Sequence, residues 1–261
     1  MRRGFGLALA LLAACAAQVK AQGWAQVAES GRRSGYQDMG PSLQAMQDDD
    51  IANPGMLWVQ EGEALWARKQ GAADKSCADC HGAGAGMAGV ATRFPAFSGS
   101  SERPIDLEQR INMCRTEQQK AEPLAHESRA LLALSTYVAT QSRSLPIAPQ
   151  DDPRLRPFTQ AGAELFARRQ GQLNLSCANC HDDNPGQKLA AATIPQAHPT
   201  GYPLYRLEWQ SVGSLQRRLR NCLIGMRAEP YAYGATQYVD LELYLMRRAA
   251  GMAYEAPGVR P

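Results

Sequence analysis

The chain has 261 residues, 44% of them hydrophobic, and a formal net charge of +3. That length suits one large or two small domains, each with a buried core. So small a net charge excludes association driven by a strongly basic surface, and neither nucleic acid nor a charged membrane surface is expected as a partner.

The N-terminus reads as a targeting segment. Arg2 and Arg3 form a basic start, and Gly4 to Ala17 is a short uncharged apolar run. Such a run is too short to span a membrane and fits a secretory signal over residues 1–21, with Val19-Lys20-Ala21 preceding the cleavage site. A competing reading takes Leu12-Ala13-Ala14-Cys15 as a lipobox with a lipid on Cys15. No later run approaches the ~20 apolar residues of a membrane helix, so no membrane span is expected. Export points to the periplasm, where CxxC pairs are poor candidates for cytosolic thiol chemistry.

Residues 22–55 are polar and include Asp48-Asp49-Asp50 and Asn53-Pro54-Gly55. They are expected to form an extended leader wrapping the first domain. A helix is predicted from about Met56 to Gly71, because Val59, Gly62, Leu65, Trp66 and Lys69 share one face. The pattern returns in the second half, where Gly162, Leu165, Phe166 and Gly171 take the places of Gly62, Leu65, Trp66 and Gly71. A glycine followed by an aliphatic and an aromatic residue suits a helix that crosses another closely. The crossing partners are predicted over 129–142 and 237–250, with Tyr137 and Tyr244 as matching core residues. Between the halves, prolines 146, 149, 153 and 157 cannot continue a helix, and residues 144–157 read as a linker.

Each half carries one CxxCH motif, Cys77-Ala78-Asp79-Cys80-His81 and Cys177-Ala178-Asn179-Cys180-His181. Two thiols at this spacing add to the vinyl groups of a haem, and the following imidazole meets the iron. Two covalently bound c-type haems are therefore expected. The predicted fold is mostly α: two tandem cytochrome c-like domains related by duplication, at 56–143 and 158–261, behind the extended leader.

Cys114 and Cys222 remain, each inside a second repeat, Leu107 to Cys114 and Leu215 to Cys222. Three readings compete: a Cys114–Cys222 disulfide, a zinc site built from the CxxC pairs, and distal ligation of each haem iron by its own Cys. The last is favoured, with Met113 and Met226 as nearby rival ligands. Thiolate ligation would stabilise ferric iron and lower the potential, which suits a simple high-potential carrier poorly.

The arginines break the symmetry. Around Cys114, Arg110 and Arg115 are balanced by Glu108 and Glu117; around Cys222, Arg217, Arg218, Arg220 and Arg227 meet no acid in the sequence. On a helix, Arg218 lies one turn before Cys222 on the same face. Guanidinium groups make a thiol reactive and bind oxyanions through paired N–H donors. Arg218 is therefore the candidate for a small dianionic substrate, and Arg217 and Arg220 are candidates for haem propionates. His126 reads as a surface residue and His198 as a solvated loop residue near a site entrance.

With these features in place, the chain resembles the SoxA family, the dihaem subunits of the SoxAX cytochromes of bacterial thiosulfate oxidation. The resemblance covers nearly the whole mature chain. It rests on Asn53-Pro54-Gly55-Met56-Leu57-Trp58-Val59, both CxxCH motifs, Tyr205-Arg206-Leu207-Glu208-Trp209, Arg218-Leu219-Arg220-Asn221-Cys222 and Leu241-Glu242-Leu243-Tyr244-Leu245. It implies haem attachment at Cys77 and Cys80 with axial ligands His81 and Cys114, and at Cys177 and Cys180 with His181 and Cys222. It implies that Cys222 is the active-site cysteine, described in the family as a persulfide, and that Arg218 contacts substrate. It implies a heterodimer with a SoxX-like monohaem cytochrome, which joins thiosulfate to a cysteine of the SoxY-SoxZ carrier and passes two electrons to an external cytochrome c. The alternative is a dihaem electron carrier without catalysis of its own.

Overall fold

The computed structural model describes residues 31–261. The signal segment, its cleavage site and Cys15 lie outside the described residues. In chain order the first half contains α1 (Pro41–Asp48), α2 (Met56–Ala67), α3 (Ala78–His81), the hairpin β1 (Ala96–Ser98) and β2 (Arg103–Ile105), α4 (Leu107–Cys114) and α5 (Arg129–Thr140). The second contains α6 (Arg156–Ala167), α7 (Cys177–His181), the hairpin β3 (Lys188–Leu189) and β4 (Ala192–Thr193), β5 (Leu204–Arg206), β6 (Ser211–Gly213), α8 (Leu215–Gly225), α9 (Thr236–Arg248) and β7 (Gly258–Arg260). Among the described residues no helix is long and apolar enough to cross a membrane.

Each half is built on one helix crossing, α2 on α5 and α6 on α9. The glycines explain how close the crossings are. A Cβ on Gly62 would stand 2.1 Å from the carbonyl oxygen of Ala133, and one on Gly162 would stand 2.0 Å from that of Asp240. No other residue lets two helix backbones approach so nearly. The aromatic residues that follow each glycine pack at the same crossing, Trp66 with Tyr137 at 5.8 Å between ring centroids and Phe166 with Tyr244 at 5.4 Å. Leu65, Leu132 and Val138 complete the first core, and Leu215, Leu241 and Leu245 the second.

Both crossing helices end four residues before the predicted glycine. At Arg68 and Arg168 the backbone turns extended, and a short bridge forms between Gln70 and Lys75 and between Gln170 and Leu175. Gly71 and Gly171 then each take a φ of +69°, a left-handed conformation that glycine adopts without strain. The two resulting loops deliver the chain into the two CxxCH helices.

The leader differs from expectation. It includes helix α1, opened by Pro41 in its first turn. It docks on the second half rather than wrapping the first. The Gln47 side-chain oxygen accepts from the Val259 N–H at 2.9 Å, and the buried Asn53 amide donates to the Pro257 carbonyl at 3.0 Å. Residues 144–157 are likewise held down: Ile147 is buried against Met246, Ala249 and Tyr254 and pairs with the Met252 carbonyl.

The halves meet along a polar seam. Asp106 caps α4 by accepting from the Gln109 N–H at 2.7 Å, and its second oxygen accepts from the Gln216 side-chain amide, also at 2.7 Å. The Gln216 carbonyl oxygen in turn accepts from the Gly234 N–H at 2.8 Å, and the Ser214 N–H donates to Glu127 at 3.3 Å. The helices that end in or carry Cys114 and Cys222 therefore start side by side. Glu108 is buried in the same seam, and burial holds its carboxyl up at about 7. The three-stranded sheet β6-β5-β7, antiparallel then parallel, ties the C-terminus beside β5.

Candidate active site

The short CxxCH helices owe their shape to the residues around the cysteines. Ser176 and Asn179 form a reciprocal capping box on α7: the Asn179 N–H donates to Ser176 Oγ at 3.3 Å, and the Ser176 N–H donates to Asn179 Oδ1 at 3.1 Å. Ser76 and Asp79 repeat the exchange at 3.0 and 2.8 Å. The polar residue inside each motif thus bonds back to the serine before it, and the pair starts the turn that carries the thiols.

His181 is fixed from behind. Its Nδ1 pairs with the Pro195 carbonyl oxygen at 2.6 Å, which leaves Nε2 available to an iron. Burial pushes the imidazole below its ordinary range, so the ring is neutral, the form that ligates metal. The wall behind it is tied to α9 by Arg248, which is buried and ion-pairs with Asp182 at 2.6 Å while lying over the Phe166 ring. In the first half His81 is exposed and lies against Trp66, 5.6 Å between ring centroids.

A cavity of about 450 Å³ opens in front of His181, lined also by Arg218, Cys222, Tyr202, Leu219 and Leu245. Cys222 and Arg218 stand one turn apart on α8, as the spacing predicts, and both line this cavity. Burial works against the charge on Arg218, but the Cys222 sulfur and the Tyr202 hydroxyl more than offset it, so the guanidinium is held above its ordinary range. Among the described residues the Arg218 guanidinium has neither a hydrogen bond nor an ion pair, while its backbone N–H donates to the Ser214 carbonyl at 3.4 Å. Cys177 and Cys180 lie close enough to Cys222 for their charges to interact, and burial pushes Cys177 up to about 12. In the first half Cys114 stands in the same relation to Cys77 and Cys80.

None of the six described cysteines is in a disulfide, so Cys114 and Cys222 are not joined. Nor do the described residues gather the His, Cys, Asp or Glu clusters that a zinc ion would need. The residues present do fit a haem. Each half offers two thiols on one short helix, an imidazole beside them and a third sulfur within electrostatic reach. Met226, a rival ligand by sequence, is buried at 7% exposure against Leu223 and Tyr238.

The other arginines of α8 have protein partners. Arg217 lies 4.4 Å over the Trp209 ring, donates to Ser211 Oγ at 3.1 Å and faces Glu127 at 3.9 Å. Arg220 lies 4.5 Å over the Tyr233 ring and donates to the Tyr231 carbonyl. His126 is half-buried, near Glu108 and stacked on Tyr233. His198 is only 9% exposed, pairs through Nδ1 with the Arg33 carbonyl and lines the cavity. Two cavity residues had been given no role by the sequence, Tyr202 and Arg206. The signal for Arg206 was alternation: it lies two residues past the buried Leu204 on β5 and so on the same face.

Two crossed-helix units, each with a capped CxxCH helix at its crossing, define a tandem cytochrome c-like haem protein. The chain belongs to the SoxA/TsdA cytochrome c domain family, whose model matches residues 61–147 and 161–254. It is 36% identical over 214 residues to the L-cysteine S-thiosulfotransferase subunit SoxA of Pseudaminobacter salicylatoxidans, an alignment covering 81% of this chain and 75% of the relative. It is 35% identical over 229 residues to the subunit of the same name from Rhodovulum sulfidophilum, covering 87% and 80%. The crystal structure of SoxXA from P. pantotrophus contains a chain of the same fold, with a TM-score of 0.85 at 31% identity, covering 88% of this chain and 87% of that one.

Proposed function

We propose that this chain is the catalytic subunit of a c-type cytochrome complex with L-cysteine S-thiosulfotransferase activity. It couples thiosulfate oxidatively to a cysteine of a SoxY carrier, held by SoxZ, and passes two electrons to an external cytochrome c. The partner subunit is a SoxX-like monohaem cytochrome, in keeping with the SoxXA fold match. The complex works in the periplasm. The observation that carries the reading is that Arg218, Cys222 and His181 line one cavity.

Cys177 and Cys180 would hold one haem, and His181 and Cys222 would ligate its iron. Cys77 and Cys80 would hold the other, and His81 and Cys114 would ligate its iron. The haem, when bound, supplies a one-electron acceptor beside the reacting sulfur. Arg218 holds the sulfonate end of thiosulfate through paired N–H donors and directs its sulfane sulfur at Cys222. A bond forms between that sulfur and the Cys222 sulfur as two electrons leave. The carrier's thiolate then attacks the sulfane sulfur. The bond to Cys222 breaks, Cys222 keeps the electron pair, and the S-thiosulfonate departs on the carrier. The net change is one S–S bond made, one thiol proton released and two electrons removed.

The experiment is a mass measurement on the carrier cysteine with thiosulfate as donor and ferricytochrome c as acceptor. Wild-type complex adds the thiosulfonate mass. Cys222→Ser abolishes the addition while both haems stay attached; full activity in that variant overturns the assignment.

A further inference from the structure

The cavity holds a second guanidinium that the sequence reading left without a role. Arg206 projects from β5 into the cavity that Arg218 and Cys222 line, with its side chain 13% exposed. Among the described residues its Nε–H is buried and has no hydrogen-bond partner. Among the same residues its one ion pair is at the rim, to Glu208 at 3.2 Å, whose own side chain is 60% exposed. The Trp209 ring supports it at 5.3 Å.

Arg218, with no ion pair among the described residues, and Arg206, paired only with an exposed carboxylate, share this cavity and repel each other, and a buried N–H without an acceptor is costly. Burial, then the neighbouring charge of Arg218, push Arg206 below its ordinary range. The third arginine of the cavity, Arg260, is already neutralised by Glu255 at 2.8 Å and hydrogen-bonded to Gln47. Together Arg206 and Arg218 suit an anion with at least two oxygen acceptors, one for each guanidinium.

We propose that Arg206 is a substrate-binding residue, gripping the sulfonate of thiosulfate together with Arg218 so that the sulfane sulfur is left facing Cys222. This rests on the reaction assigned above and adds its specificity: a sulfonate engages both arginines, whereas an anion with a single acceptor oxygen leaves one unpaired. The grip also orients. Held by one arginine the anion can pivot; held by two on different elements, β5 and α8, it presents one end.

The test uses the haem-loaded complex with its cytochrome partner and without carrier. Thiosulfate is titrated by calorimetry into the reduced complex, which cannot take electrons from it, and the haem potentials are followed by redox titration. Removing one charge-assisted hydrogen bond predicts that Arg206→Gln raises the Kd for thiosulfate roughly ten- to hundredfold. Arg206→Lys, which restores charge without the fork, recovers part of the affinity. Haem content and potentials stay as in the wild type. Glu208→Gln removes the exposed counter-charge and lowers the Kd about two- to threefold. An unchanged Kd in Arg206→Gln overturns the proposal. So does haem loss or a shifted potential at unchanged Kd, which would assign Arg206 to a propionate. If Arg206→Gln does not fold, Glu208→Gln decides: a Kd that is unchanged or higher overturns the proposal. A wild-type complex that binds thiosulfate but never modifies the carrier would refute the activity and leave the Arg206 assignment standing.

Discussion

Replacing Gly162 by Ala adds one methyl group at the tightest point of the second half. The new Cβ would lie 2.0 Å from the Asp240 carbonyl oxygen, 2.6 Å from its carbonyl carbon and 2.9 Å from Tyr244 Cβ. The first two contacts are with α9 backbone, which no rotamer change relieves, so α6 and α9 must separate. Two terms oppose. Alanine favours the helix over glycine by about 1 kcal/mol. Overpacking costs typically 1–3 kcal/mol, and a clash with main chain belongs at or beyond the upper end of that range. The net loss expected is about 2–3 kcal/mol. At about 2–4 °C per kcal/mol for a chain of this size, the thermal midpoint falls by roughly 4–12 °C. Gly225, also on a helix, is the control, because a Cβ there meets nothing within 4 Å. Gly225→Ala should hold or raise the midpoint. Far-UV circular dichroism melts of the haem-loaded protein measure both. If Gly162→Ala melts with the wild type or with Gly225→Ala, the crossing does not depend on the glycine and the account of the fold is wrong.

Arg218→Ala should raise the thiosulfate KM roughly ten- to hundredfold, with kcat falling less, since one charge-assisted contact is lost; steady-state kinetics with an unchanged KM would count against its role. Stability should fall with rising pH across the seam. The Glu108 carboxyl goes from 4.5 unfolded to about 7 folded through burial, so its contribution is complete below the first value and lost as pH rises through the second. His126, raised first by Glu108, whose carboxyl lies 3.8 Å from its Nδ1, acts with the same sign. Urea midpoints across that range should decline, and Glu108→Gln should flatten the decline; a parallel curve in the variant would refute the assignment. Gln216→Ala strips partners from Asp106 and the Gly234 N–H together, and should cost about 2–4 kcal/mol in denaturant unfolding; a loss well under 1 kcal/mol would mean the seam is not what joins the halves.

Where local rules suffice, the fold was legible. Gly62 and Gly162 announced close crossings because only the absence of a Cβ permits them, and the aromatic partners followed at the expected places. Arg218 and Cys222 share a cavity because a one-turn spacing leaves a helix little choice. What the sequence hid depends on contacts between distant segments. Arg217 and Arg220 looked as free as Arg218, and only the positions of Trp209 and Tyr233 show that they are taken up by aromatic faces. His198 looked like a solvated loop residue until the Arg33 carbonyl, far away in the leader, closed over its ring. Arg206 sat in plain view on a strand too short for its alternation to stand out. The docking of the leader on β7 had no local signal at all.

The seam has a consequence for the cavity. The wall behind His181 is anchored inside the second half, through Pro195 and the Arg248–Asp182 pair. The wall that bears Cys222 and Arg218 is different: α8 begins at Ser214 and Gln216, and both are held by residues of the first half. The two sides of the cavity thus answer to different foundations, like the fixed and moving jaws of a vise. The first half holds the starting end of the helix that bears Cys222 and Arg218. A disturbance at Asp106 or Glu127, remote from any sulfur, would be felt as a change in how far Cys222 stands from His181.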